Sequence, residues 1–229
     1  GSMGDRLKDK TLLITQSDDY MGPAISELFN SEGASVHGVA DLVPGNSTID
    51  DFAAPYADID ILIANLAYDP TNASVADITD DGWHKLFDVM VHPLMALIRY
   101  FGPRMAERGQ GKIVAITSAA PLRGIAGSSA YCAARGAQNA FIKASGIEFA
   151  KQNVQINAVA QNYVSNPAYF PEDLVASERF QKHLQRNVPI GRVARAEESA
   201  ELALFLASDK SDFMVGQVVP FSGGWAINA

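Results

Sequence analysis

Three side chains in the second half of the chain carry groups that could act together. Ser118, Tyr131 and Arg135 follow one another in the spacing S-x12-Y-x3-R. Tyr131 and Arg135 are four residues apart, which on a helix puts both on one face. A phenol with its ordinary pKa near ~10 is a poor base at neutral pH. A guanidinium keeps its charge throughout the working pH range, so one beside a phenol favours the phenolate. With a serine hydroxyl to orient a substrate oxygen, the set suits proton transfer at that oxygen. A Tyr-x3-Arg pair alone says little, because such pairs are common on helix surfaces. The serine thirteen residues ahead of the tyrosine strengthens it greatly.

The elements that must hold these groups alternate from the start of the chain. Residues 11–15 are a short apolar run of buried-strand type, and residues 35–39, 58–65, 112–117, 154–159 and 217–221 read as further strands. Residues 22–32, 81–108, 128–151 and 197–207 carry helical spacing, for example Ile25, Leu28 and Phe29 in the first. Such alternation predicts a doubly wound, Rossmann-like three-layer α/β domain with a mainly parallel sheet. Residues 40–57 are too few for a further helix-strand excursion and contain Pro44, Gly45 and Pro55. A loop with one short helix is expected there, leaving six strands, one fewer than the usual seven. Ligands in these sheets bind beyond the carboxyl ends of the strands. The positions to watch therefore follow Thr15, Asn65, Thr117 and Val159, and Ser118 is one of them.

Composition narrows the classes of function. The 229 residues are 48% hydrophobic and 19% charged, which provides a core and excludes a disordered chain. No repeat or linker divides the chain, so residues 4–229 are expected to form one domain, with residues 1–3 a tag remnant. The net charge of −8 disfavours nucleic acid and anionic membrane as partners. No apolar run approaches the ~20 residues that span a bilayer. The single cysteine, Cys132, cannot form an internal disulfide, and a cytoplasmic location is expected. The four histidines are scattered without metal-site spacing, so no metal is expected.

Over nearly its whole length the chain resembles the short-chain dehydrogenase/reductase superfamily. Besides Ser118 and Tyr131, the resemblance rests on Asn65, on Gln155-Ile156-Asn157-Ala158-Val159 and on Phe221-Ser222-Gly223-Gly224. It fails wherever a nicotinamide cofactor should bind. The family's T-G-x3-G-x-G phosphate loop reads Thr15-Gln16-Ser17-Asp18-Asp19-Tyr20-Met21-Gly22 here. Gln16 and Tyr20 replace glycines, and Asp18 and Asp19 stand where a pyrophosphate would lie. Arg135 takes the place of the lysine that holds the ribose. Met90 falls at the relay asparagine, Gln161-Asn162 at the Pro-Gly, and Asn166 at the carboxamide-binding threonine.

Thr15-x4-Tyr20-x-Gly22 together with Ser118-x12-Tyr131-x3-Arg135 resembles the halohydrin dehalogenases, a cofactor-free branch of that superfamily. Residues 166–171 and 188–192 are similar to it as well. The resemblance implies conversion of vicinal halohydrins to epoxides and halide, with no cofactor, by a homotetramer. It also implies the reverse reaction, epoxide opening by small anions such as azide, cyanide and nitrite. Ser118, Tyr131 and Arg135 would be catalytic. The halide site would lie at Gln161, Asn162, Tyr163 and Val164, through backbone N–H groups, with Tyr20 closing one side. Tyr68, Ala120, Tyr169 and Phe170 would contact the organic part. Asp41, near the end of the second strand where an NAD enzyme carries its ribose-binding acid, is read as a relic or loop cap. Two other readings stand beside this one. The first is an NAD(P)-dependent oxidoreductase with an atypical loop. The second is a non-catalytic relic that serves as a binding protein.

Overall fold

A computed structural model describes residues 4–69 and 72–229. The tag expected at residues 1–3 lies outside the described residues. Six strands form one sheet: β1 (Thr11–Thr15), β2 (Ser35–Val39), β3 (Ile61–Asn65), β4 (Gly111–Ser118), β5 (Val154–Gln161) and β6 (Val218–Phe221). Their order is β2-β1-β3-β4-β5-β6, and every pairing is parallel. The helices are α1 (Gly22–Ser31), α2 (Ile49–Ala53), α3 (Asp80–Met90), α4 (His92–Arg108), α5 (Ala120–Arg123), α6 (Ser129–Phe149), α7 (Glu172–Ala176), α8 (Glu178–Asn187) and α9 (Ala196–Ala207).

Alternation of side chains along each strand divides the interior in two. Leu13, Leu62, Ala64, Ile113, Ala115, Ile156 and Ala158 pack against Leu97, Phe101 and Met105 of α4 and Ile142 of α6. Their neighbours Leu12, Ile14, Ile61, Ile63, Val114, Ile116 and Val159 face Ile25 and Phe29 of α1 and Ala203 and Leu204 of α9. Both faces of β1, β3, β4 and β5 are thus covered, which is why these strands are buried along their length, whereas the edge strand β2 is largely exposed. Residues 40–57 hold only α2 and the short 3-10 turn Ala54–Tyr56, whose Ile49 and Ala53 are buried in the core. Among the described residues no helix is long and apolar enough to cross a membrane.

The helix expected at 81–108 is two helices. α3 ends at Met90, Val91 is a turn, and α4 begins at His92. Pro93 has no N–H to give to the carbonyl of Val89 and its ring crowds the preceding turn, so the helix breaks there. The Met90 carbonyl, at the end of α3, accepts from a side chain, Gln138 Nε2 at 2.8 Å. The helices α5, α7 and α8 were not expected, and the last two carry the chain between β5 and α9.

Candidate active site

β4 and α6 bring the three chemical groups together at the carboxyl end of the sheet. Ser118 is the last residue of β4, and Tyr131 and Arg135 lie one turn apart near the start of α6. Arg135 Nε donates to Tyr131 Oη at 3.0 Å. Arg135 is 3% exposed, and its remaining N–H groups meet only neutral acceptors. Nη1 donates to the carbonyls of Leu66 at 3.1 Å and Ile116 at 3.3 Å and to Gln138 Oε1 at 3.0 Å. Nη2 donates to Tyr169 Oη at 3.3 Å. Burial works against the cation, and the phenol oxygens of Tyr131 and Tyr169 more than offset it, so the Arg135 pKa lies above that of a free guanidinium.

Ser118 is fixed from both sides. Its Oγ accepts from the Ala120 N–H at 3.0 Å, and its carbonyl accepts from Asn139 Nδ2 at 3.2 Å. The hydroxyl proton is left to point at a ligand. Ser118, Tyr131 and Arg135 all line one cavity of about 210 Å³. Its walls are largely apolar, with Met21, Ile116, Ile125, Val164 and Phe170 among them.

Tyr20 and Tyr169 close the same cavity with their rings 5.3 Å apart. Tyr169 Oη donates its one proton to the carbonyl of Tyr68 at 2.8 Å. Burial pushes the Tyr169 phenol up, against the pull of Arg135. Burial, with Asp69 at 3.3 Å accepting from the hydroxyl, pushes Tyr20 up too. Both are therefore neutral phenols at working pH. Asn166, not foreseen as a site residue, sets Tyr169 in place. Its Oδ1 accepts from the N–H groups of Ala168 at 3.0 Å and Tyr169 at 2.8 Å, an Asx turn that the Asn-Pro-Ala segment could have signalled.

Of the other expected positions, Gln161, Asn162, Val164, Ala120 and Phe170 line the cavity, and Tyr68 and Tyr163 are not part of its lining. Strand register explains the first group. Ser118 pairs with Gln161, so the chain leaves β5 directly beside the serine. The Tyr163 side chain lies outside the cavity. The residue adopts φ +58°, which turns its ring out of the cavity into a cluster with Phe170, Phe180, His183 and Trp225. There its Oη meets His183 Nε2 at 2.8 Å. Two of the N–H groups expected to receive an anion are also occupied. That of Asn162 donates to the Phe221 carbonyl at 3.0 Å, and that of Tyr163 to Asn162 Oδ1 at 2.8 Å. Tyr68 reaches the site through its backbone, while its ring lies under the Lys85 ammonium at 5.7 Å. Asp41 is exposed at the end of β2. Among the described residues no three His, Cys, Asp or Glu side chains gather as a metal ion would require.

A family model described as enoyl-(acyl carrier protein) reductase matches residues 12–226. The chain belongs to this family of short-chain dehydrogenases/reductases. It is 26% identical to a 3-oxoacyl-[acyl-carrier-protein] reductase of Thermotoga maritima, over 97% of this chain and all of the relative. A solved structure described as a dehalogenation enzyme superposes with a TM-score of 0.88 at 30% identity, over 96% of this chain and all of the other. A halohydrin dehalogenase bound to ethyl (2S)-oxiran-2-ylacetate superposes with a TM-score of 0.86, over 96% of this chain and 98% of the other. At 22% identity that likeness bears on the fold alone.

Against the family's nicotinamide site, the loop after β1 does not fit. Gln16 and Tyr20 occupy two of the family's glycine positions and keep the left-handed backbone that glycine adopts freely, at φ +44° and +53°. Such a backbone costs an ordinary residue roughly 1–2 kcal/mol. The Gln16 side chain offsets that cost by donating to the Ala67 carbonyl at 3.1 Å and accepting from its N–H at 3.0 Å. Asn65 Nδ2 ties the same loop down through the carbonyls of Gln16 and Asp19, both at 3.1 Å. At the third position Gly22 is obligatory, because a Cβ would lie 2.4 Å from the Ser17 carbonyl oxygen. A phenol, Tyr20, fills the cavity end, and two exposed carboxylates, Asp18 and Asp19, stand before α1.

Proposed function

We propose that this member of the family is a halohydrin dehalogenase that needs no cofactor. The observation that carries the reading is the bond from Arg135 Nε to Tyr131 Oη, in a cavity whose former phosphate loop bears Gln16 and Tyr20. The likeness to a dehalogenation enzyme at 30% identity supports it. In this reading the Tyr131 phenolate takes the hydroxyl proton of a vicinal halohydrin, with Arg135 stabilising the negative charge that the phenol carries beforehand. The alkoxide attacks the adjacent carbon, the carbon–halogen bond breaks, and epoxide and halide leave. Ser118 donates its free proton to the substrate oxygen and holds it in line. The halide leaves towards Tyr20, Asn162 and Val164. To use the Tyr163 N–H, it must first displace Asn162 Oδ1. Ala120, Tyr169 and Phe170 contact the organic part.

The deciding experiment measures halide release from a dichloropropanol without added cofactor, beside calorimetric titration with NADH and NADPH. Release without measurable binding is expected. The names of curated relatives such as the Thermotoga reductase favour the second reading, a nicotinamide oxidoreductase. Micromolar NADH binding with no halide release would establish that reading and end this one.

By microscopic reversibility the same groups should open epoxides, with protonated Tyr131 as the acid. Incubated with azide and epichlorohydrin, the protein should form azidoalcohol well above background, and cyanide and nitrite should act likewise. Product equal to the uncatalysed yield, from a protein that does release halide, would show a site closed to anions other than halide. We also propose a homotetramer paired through α4 and α6. Ile147 of α6 is 73% exposed, and Phe149 with Pro103 and Ala106 lines an open cleft between the two helices. Light scattering should give four times the chain mass, and a monomer mass would refute the assembly.

A further inference from the structure

Gln138, which nothing in the sequence marked, is 1% exposed and joins three separate parts of the site. Its Oε1 accepts from Arg135 Nη1 at 3.0 Å. Its Nε2 donates to the Met90 carbonyl at 2.8 Å and the Leu66 carbonyl at 3.2 Å. Met90 is the last residue of α3, and the Leu66 carbonyl also accepts from Arg135 Nη1 at 3.1 Å. Gln138 lies one turn beyond Arg135 on α6, so its backbone is fixed, and its amide is anchored at the far end by two carbonyls from other elements. Geometry leaves the carboxamide one orientation, with the oxygen towards the guanidinium, because the reverse would set oxygen against two carbonyl oxygens.

We infer that Gln138 is a positioning residue: it holds the Arg135 guanidinium with Nε aimed at Tyr131 while leaving its charge un-neutralised. A carboxylate could grip the same N–H groups more tightly, but it would cancel the field that the phenol oxygen feels. The acceptors around Arg135 are instead the carbonyls of Leu66 and Ile116, the Gln138 amide and two phenol oxygens. The titratable groups facing Tyr131 are Arg135 from α6 and Tyr169 from the segment after β5, with Tyr20 and its partner Asp69 beyond. Among the described residues none of these places a carboxylate on Arg135. The neutral grip therefore leaves the cation's charge to the phenol oxygens of Tyr131 and Tyr169, the nearer of which is Tyr131.

The inference takes from the dehalogenase reading only that Tyr131 carries the proton. Its test is a titration that needs no turnover. The ultraviolet band of tyrosinate is followed against pH, and the difference between the wild type and Tyr131→Phe isolates the ionisation of Tyr131. Gln138→Met keeps the volume and helix propensity but drops the acceptor, and the Tyr131 midpoint should rise by roughly one pH unit. Gln138→Glu adds a carboxylate against Arg135, and the midpoint should rise further. Where halide release is measured, kcat at neutral pH should fall about tenfold for each such unit while KM stays within about twofold. A folded Gln138→Met protein that titrates as the wild type does, however much thermal stability it has lost, would reduce Gln138 to a packing role and overturn the inference. If that variant does not fold, a wild-type midpoint in Gln138→Glu overturns it. A wild type that releases no halide would sink the dehalogenase reading and leave the titration to decide on Gln138.

Discussion

Tyr131→Phe should lower halide release from a vicinal chlorohydrin by roughly 10²–10⁴-fold, the range that a positioned general base contributes. The substitution removes a single oxygen. That oxygen is the acceptor for Arg135 Nε at 3.0 Å, so its loss also leaves one buried N–H of a cation without its partner. Stability should fall by no more than the roughly 1–3 kcal/mol that one such unpaired donor costs. The other donors of Arg135 stay bound to Leu66, Ile116, Gln138 and Tyr169, and the ring keeps its contacts with Leu86, Ala130 and Ala134. KM should move little too, because the cavity walls are intact. Rates measured under saturating substrate, beside a thermal melt of the same preparation, check both statements. A variant that keeps the wild-type rate would remove Tyr131 from the chemistry.

Arg135→Lys should be nearly as damaging, by roughly 10²-fold or more in kcat, the scale seen when one preorganised donor to a developing charge is lost. The substitution keeps a positive charge, which is why it is informative. An ammonium has three donors on one atom, whereas the guanidinium spreads its N–H groups over a plane. Here that plane reaches Tyr131 through Nε, Leu66, Ile116 and Gln138 through Nη1, and Tyr169 through Nη2. One nitrogen cannot serve all of these, so some buried acceptors are left unpaired at about 1–3 kcal/mol each. The expected result is a lower melting temperature together with a rate that recovers only at alkaline pH, where the phenol ionises without help. A wild-type rate at neutral pH would show that charge alone, without the fork, suffices to activate Tyr131.

Much of this architecture was legible because its causes are local. Six expected strands separated by helical spacing became six parallel strands, each within three residues of its expected bounds. The shortness of residues 40–57 excluded a seventh. The break at Val91 was legible in principle, since Pro93 announces it, but the apolar stripe on either side reads as one helix. The helix α8 also had a signal. Ser177 is an N-cap whose side chain accepts from the Phe180 N–H at 3.2 Å, and Phe180 and Leu184 repeat at four residues on its inner face. A run of charged and amide residues between them hid it.

The sequence by itself determined that Tyr131 and Arg135 share one helix face, because residues four apart are neighbours there, while the bonds to Leu66, Ile116, Gln138 and Tyr169 set which nitrogen faces the phenol. It determined that Ser118 ends a strand, and that the glycines of the phosphate loop are gone. Tertiary structure alone decided what took their place. Nothing in the residue types Gln and Tyr announces a left-handed backbone, yet Gln16 and Tyr20 are held in it by Asn65 and Ala67 from another strand end. Nothing in Tyr163 announces that its ring turns away to meet His183, or that its N–H is spent on Asn162. Gln138 and Tyr169 matter through bonds to Met90, Leu66 and Tyr68, which lie 48, 72 and 101 residues away. Side-chain identity sets which groups can bond. Only the crossing of β3, β4, α3 and α6 sets which of them come within reach, and no local pattern encodes that crossing.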